Sequence, residues 1–310
     1  MTTYLIKRIL HTIPVIFGVI VFTFILMYVV PGDPVLSMVG ERYDEATIQR
    51  LRDNLHLDDP LWKQFGNYVG NLLKGDLGNS FITMRPVAND LMDKFPFTLL
   101  LASSAMIVSI VVGLAVGIIS SLKPNSLLDR GTMLLALTGI SAPVFWVGLL
   151  LILIVGVNLK WLPPTGYGGV EYLILPAIAL GTRSAAFLAR VTRSTMLDVL
   201  QQDYIRTARA KGLPEWKVIL KHAFPNTLIP IITIIGVDFG SYLSGAVLTE
   251  SIFGWPGIGR FALDAILKRD FPVIQGTVLF TAMMFIFANL IVDLLYGVVD
   301  PKVRLERSNE

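Results

Sequence analysis

The chain has 310 residues, 54% of them hydrophobic and only 16% charged, with a formal net charge of +3 and no cysteine. Soluble domains carry about 25% charged residues, so a water-soluble enzyme or binding domain is excluded for most of this length. Disulfides and thiol chemistry are excluded outright.

In chain order, Ile9 to Val30 is the first unbroken apolar run, 22 residues without a carboxylate, Lys or Arg. Lys7 and Arg8 precede it. The run is too long for a signal-peptide core, and Val29-Val30-Pro31-Gly32-Asp33 offers no small-x-small cleavage site, so it reads as a retained span. Phe97 to Leu122 follows with 26 residues, Gly131 to Val157 with 27 and Gln275 to Val292 with 18. Tyr172 to Ala189 is apolar except for Arg183, and Asn226 to Thr249 except for Asp238. Runs of about 18 residues or more cross a hydrocarbon layer as a helix, where every backbone donor and acceptor must be satisfied internally. The expectation is an all-α membrane protein with six transmembrane helices.

Six spans put both termini on one side, and the positive-inside rule assigns it. Segments 1–8, 123–130, 183–225 and 298–310 hold 15 basic and 7 acidic residues, whereas 31–96, 158–171 and 250–274 hold 11 and 14. The first set, with both termini, is expected on the cytoplasmic side. The expected organisation is a first helix (9–30) with a helical outer segment (31–96), a five-helix domain (97–297), and a cytoplasmic tail (298–310).

Within the outer segment, Asp44 to Leu55 and Leu61 to Lys74 read as helices. Asp58-Asp59-Pro60 forms the cap and first turn of the second, and Gly75-Asp76-Leu77-Gly78 reads as a turn. This segment is either a decorated loop or an outer docking surface. Between the fourth and fifth spans, a cytoplasmic hairpin is expected over 190–226. Asp203 to Lys211 forms its first helix, stopped by Gly212 as a left-handed cap. Pro214 to Phe224 forms the second, closed by Pro225.

Catalytic signatures are absent. The cluster Gly254-Trp255-Pro256-Gly257-Ile258-Gly259-Arg260 has neither the spacing nor the Lys-Ser/Thr end of a phosphate loop. His11, His56 and His222 stand in separate segments, so no metal site is expected. Intramembrane charges are costly and therefore informative. Arg183 either faces a hydrated pathway or snorkels to the surface. Asp238, Glu250 and Asp293 either pair helices or line the pathway, and a proton-coupled secondary transporter using Asp238 and Asp293 with Arg183 stays open. In the hairpin, Ala208 and Ala210 leave the helix thin enough for close approach to a partner, flanked by Arg206, Arg209 and Lys211.

The stretch Asp203-Tyr204-Ile205-Arg206-Thr207-Ala208-Arg209-Ala210-Lys211-Gly212-Leu213 resembles the cytoplasmic loop of the dipeptide/oligopeptide/nickel permeases of bacterial ABC importers. It is a version of the wider importer motif E-A-A-x-x-x-G-x9-I-x-L-P. Arg206-Thr207-Ala208 take the E-A-A positions, Gly212 the glycine, and His222, Phe224 and Pro225 the I, L and P. Pro31-Gly32-Asp33-Pro34, Gly75-Asp76-Leu77-Gly78, Arg190-Val191-Thr192-Arg193-Ser194, Thr249-Glu250-Ser251-Ile252-Phe253 and Asp300-Pro301 resemble the first, B-type, membrane subunit. Arg183 departs from the neutral residue or proline expected there.

The resemblance implies a type I importer permease fold in the bacterial inner membrane and a non-catalytic subunit that forms the pathway with a homologous partner permease. It also implies two ATPase subunits, which would carry ATP and Mg, and an extracytoplasmic solute-binding protein, with membrane lipid around the chain and no nucleic acid. No cofactor is expected on this chain. Cargo would be a di- or oligopeptide, glutathione or a nickel chelate. Tyr204, Arg206, Thr207, Ala208, Arg209, Ala210, Gly212 and Pro225 would form the ATPase-coupling element.

Overall fold

The structure, a computed structural model, describes residues 2–29, 49–50, 52 and 58–299, with side chains omitted at 2–9, 27–29 and 293–299. The expected helix Asp44 to Leu55 falls largely outside the described residues, as do Pro31-Gly32-Asp33-Pro34, the side chain of Asp293 and the end of the tail. The main helices follow in order: α1 Thr2–Val29, α2 Leu61–Leu73, α3 Val87–Leu122, α4 Leu127–Ser141 and α5 Val144–Leu151, which a π turn, Ile152–Asn158, continues. Then come α6 Glu171–Leu200, α7 Asp203–Ala210, α8 Glu215–Leu243, α9 Val247–Phe253, α10 Ile258–Lys268 and α11 Phe271–Val299. No strand occurs among the described residues.

The six apolar runs fall in order on α1, α3, α4 with α5, α6, α8 and α11. Helices α3, α6, α8 and α11 are each long and apolar enough to cross a bilayer. The described apolar part of α1, Leu10–Leu26, is shorter.

Four expected boundaries change. The third run is no straight span: α4 and α5 meet at a bend of 106°. Ala142 is extended there (φ −73°, ψ 130°) because the Pro143 ring disfavours the helical region for its predecessor. The fifth run is also interrupted. Helix α8 ends at Leu243, and Gly245 takes φ +102°. The Cβ of any other residue there would lie 3.3 Å from the Gly259 backbone. The fourth run extends to Leu200, because Arg193, a charge that marks a loop in the sequence, is bonded to Asp129 and lets the helix continue. Finally, Pro225 does not close the hairpin. Helix α8 carries the chain past it through a π turn (Val218–Ala223) and a 3-10 turn (Phe224–Thr227), the local adjustment that accommodates a residue lacking an N–H.

In the outer segment, α2 begins at Leu61 with Pro60 itself at the cap, and Asp59 pairs with Lys63 at 3.0 Å instead of capping. The Gly75–Gly78 turn has both glycines at positive φ, and the Asp76 carboxylate accepts the Gly78 N–H at 2.8 Å. Phe65 of α2 meets Phe24 of α1 edge to face at 5.2 Å, and Tyr68 meets it at a tilt at 5.9 Å. The Thr23 carbonyl accepts from Gln275 of α11 at 3.0 Å, which fixes α1 to the bundle.

Association of helices in lipid rests on close packing rather than on the hydrophobic effect. Accordingly, α3 and α6 meet through small residues. A Cβ on Gly113 would lie 2.9 Å from the Ala185 carbonyl, one on Gly117 2.7 Å from the Ala189 carbonyl, and one on Gly181 2.6 Å from the Ala105 carbonyl. Ser109 donates to the Gly181 carbonyl at 2.9 Å across the same seam. Helices α8 and α11 repeat the device, with Gly236 under Val292 and Gly240 under Phe285 and Ala288.

Candidate functional site

The hairpin has a core of its own. Ile205 and Ala208, one turn apart on α7, are buried against Met196 of α6 and Val218, Ile219 and Ala223 of α8. Ala208 is therefore packed inward and offers no thin surface to a partner, contrary to the expectation from its size. Of that pair Ala210 alone is exposed.

Gly212 takes φ +78°, the left-handed region that favours glycine, and its N–H reaches the Arg209 carbonyl at 2.9 Å. Across the turn, Arg209 donates to both Glu215 oxygens, the shortest contact being 2.6 Å. Arg206 sits 3.6 Å from Asp203, and the Thr207 hydroxyl donates to the Asp203 carbonyl at 3.0 Å. Tyr204, Arg206, Thr207, Ala210, Gly212 and Pro225 are all exposed. With them on the hairpin stand Trp216 and Leu220, large apolar side chains 61% and 55% exposed, which sequence reasoning did not single out.

The second site is a cavity of about 790 Å³ at mid-bundle. Its walls are one face of α6 (Leu180, Arg183, Ser184, Phe187), one face of α8 (Val237, Asp238, Ser241, Tyr242), and both helix interruptions, with Ile140 and Val144 beside the bend and Gly245 to Thr249 beyond α8. Arg183 and Asp238, far apart in sequence, thus share one cavity. Tyr242 donates to the Leu180 carbonyl at 3.1 Å and bonds Ser184 at 2.5 Å, holding the two walls together. An arginine near mid-span costs about 2.5–3.5 kcal/mol on insertion scales, a cost that Ser184, Asp238, Ser241 and Tyr242 in the same cavity help to offset. The spacing Leu180, Arg183, Ser184, Phe187 is the i, i+3, i+4, i+7 signature that could have marked this face beforehand.

Glu250 lies elsewhere, fully buried on α9. Its carboxylate accepts from Thr98 of α3 at 2.8 Å and from the Arg260 N–H at 3.0 Å, while Thr98 in turn accepts the Ile258 N–H at 2.8 Å. Gly257 and Gly259 leave room for it: a Cβ on Gly257 would lie 2.3 Å from its carboxyl carbon. Glu250 thus clamps the Gly254–Gly259 turn onto α3, away from the cavity. Asp270 has a similar place, buried and accepting from Ser80 at 2.5 Å and from the Phe81 N–H at 3.0 Å. Of the three residues expected for a proton-coupled carrier, Arg183 and Asp238 share the cavity, and the side chain of Asp293 lies outside the described residues. No cluster of metal-ligating side chains occurs among the described residues.

Residues 109–305 match the family described as "Binding-protein-dependent transport system inner membrane component", and residues 1–102 match its N-terminal companion. The chain belongs to this permease family. The permease is 43% identical over 304 residues to the glutathione transport system permease protein GsiC of Escherichia coli O6:H1, covering 98% of this chain and 99% of that one. It is equally 43% identical over 336 residues to the di/tripeptide transport system permease protein DppB of Pseudomonas aeruginosa, covering 99% and 100%. Inward-facing structures of the MetNI methionine ABC transporter share its fold with a TM-score of 0.59, at 16% identity over 68% of this permease and 96% of that chain. The permease is a multi-pass membrane protein and a subunit of an ABC importer.

Proposed function

We propose that this permease imports di- or tripeptides, or a related solute such as glutathione, together with a second, homologous permease. Two ATPase subunits bind ATP and Mg on the cytoplasmic side, where both termini lie, and an extracytoplasmic binding protein delivers the cargo. The relatives' substrates support the cargo assignment. The observation that carries the mechanism is the hairpin Asp203 to Ala223, folded on its own core and displaying Tyr204, Arg206, Ala210 and Trp216 outward.

In this reading an ATPase groove grips that outer face. Closure of the ATPases then swings the hairpin and the helices packed on it as a body. Force passes only through elements packed without slack, and Ile205, Ala208 and Met196 supply that packing beneath the gripped face. The chain performs no chemistry of its own.

Reconstitution tests the proposal. In liposomes the two permeases with the ATPases, binding protein and ATP take up peptide, whereas this permease under a proton gradient alone takes up none. Uptake by the permease alone would overturn the reading.

A further inference from the structure

The cavity between α6 and α8 carries one feature that pathway formation does not require: an arginine and an aspartate on its walls, Arg183 from α6 and Asp238 from α8, where Asp238 bonds Ser184 next to Arg183. Arg183 is exposed in the middle of α6 and Asp238 half-buried in the last turns of α8. Among the described residues, neither forms an ion pair, although several surface residues do. A guanidinium and a carboxylate that serve only to join helices close on each other, as Arg193 and Asp129 do. Here they line an open volume of about 790 Å³ instead, within the usual size of small-ligand sites.

Phe187 and Tyr242 also line the cavity, and the chain runs out of helix at the α4–α5 bend and at Gly245 on its border. Interrupted helices at mid-membrane are where transporters expose polar backbone to solutes.

We propose that Arg183 and Asp238 form a transient zwitterion site, in which Arg183 takes a cargo carboxylate and Asp238 a cargo ammonium as the solute crosses the membrane. The site rests on the peptide-importer reading above and adds which groups of the cargo this subunit reads. Guanidinium–carboxylate bonding is strong and bidentate, yet Arg183 is exposed, not enclosed, so the grip is weak enough to release. The polar pair also sets what crosses poorly: a peptide with either terminus blocked would leave one of the two charges unpartnered.

The test uses the permease–ATPase complex without binding protein, in lipid nanodiscs, so that the binding protein's own selectivity does not enter. Saturation-transfer NMR compares an alanine dipeptide with its C-terminal amide and its N-acetyl form. Wild type is expected to favour the free dipeptide at least fivefold over both. Arg183→Gln loses the discrimination against the amide alone, Asp238→Asn that against the N-acetyl form alone, and Arg183→Lys keeps both.

No transfer to wild type, or discrimination that survives both substitutions, overturns the site. So does equal loss for all three peptides, the mark of a helix-pairing role. ATP-driven uptake by the complete importer separates this from failure of the cargo reading. Wild-type uptake without the NMR pattern removes only the zwitterion site, whereas no uptake of any peptide removes the reading beneath it.

Discussion

Arg193 forks onto Asp129, its Nε and Nη2 donating to the two carboxylate oxygens at 2.5 and 2.7 Å, and so joins the hairpin-bearing end of α6 to the first turn of α4. Asp129 is buried, and it also accepts the Asn125 N–H at 2.8 Å while its own N–H is capped by Ser126. Removing Arg193 strands a buried carboxylate. Arg193→Ala is expected to cost about 2–3 kcal/mol, below the figure for a fully buried pair because the arginine is partly exposed. Thermal unfolding of the solubilised protein checks this, and an unchanged midpoint would show the pair to be ornamental.

At Gly212 strain and bulk can be separated. A Cβ there meets nothing within 4 Å, so a side chain is opposed only by the left-handed backbone, about 1 kcal/mol for most residues, and, in the proposed docking, by the ATPase groove. Gly212→Asn, which tolerates this conformation, is expected to keep at least half of ATP-driven uptake. Gly212→Trp is expected to lose tenfold or more at unchanged membrane abundance. Equal activity of the two would remove Gly212 from the partner contact.

Ala208 and Ala210 are expected to diverge. Ala208→Glu puts a charge into the core formed by Met196, Ile205 and Val218, so the hairpin unfolds and protease sensitivity between 200 and 225 rises. Ala210→Glu stays folded and reduces co-purification of the ATPases. If limited proteolysis treats the two variants alike, the inward and outward assignments are mistaken.

The seam between α3 and α6 is expected to reject even a methyl group. Gly117→Ala places a carbon 2.6 Å from Thr192 Cβ and 2.7 Å from the Ala189 carbonyl, and overpacking of this kind costs about 1–3 kcal/mol. Gly131→Ala on α4 meets nothing within 4 Å and is expected to be neutral or slightly stabilising. Melting temperatures of the pair decide it, with equal values counting against a close-packed seam.

Much of this architecture is legible in the chain because lipid makes unbroken apolar runs mandatory. Pro143 and Gly245 were visible too, yet a run long enough to span hides the fact that it turns within itself. The side on which a small residue lies is harder to read. Ala208 is small whether it faces a partner or its own core, and only its one-turn spacing from Ile205 points inward. Glu250 is the limit case: its partner Thr98 lies 152 residues away, a pairing that no local pattern encodes.

Helix α6 runs without interruption from Arg183 in the cavity to Met196 beneath the hairpin, 13 residues or about 20 Å. Pro176, the one proline in it, lies on the far side of Arg183. Alongside, α3 packs on the same stretch at Gly113 and Gly117, so closely that a Cβ at either would lie within 2.9 Å of an α6 carbonyl. The two form one stiff bar, so a force applied at the hairpin, as the proposed ATPase docking would apply it, reaches the cavity wall with little loss along the way.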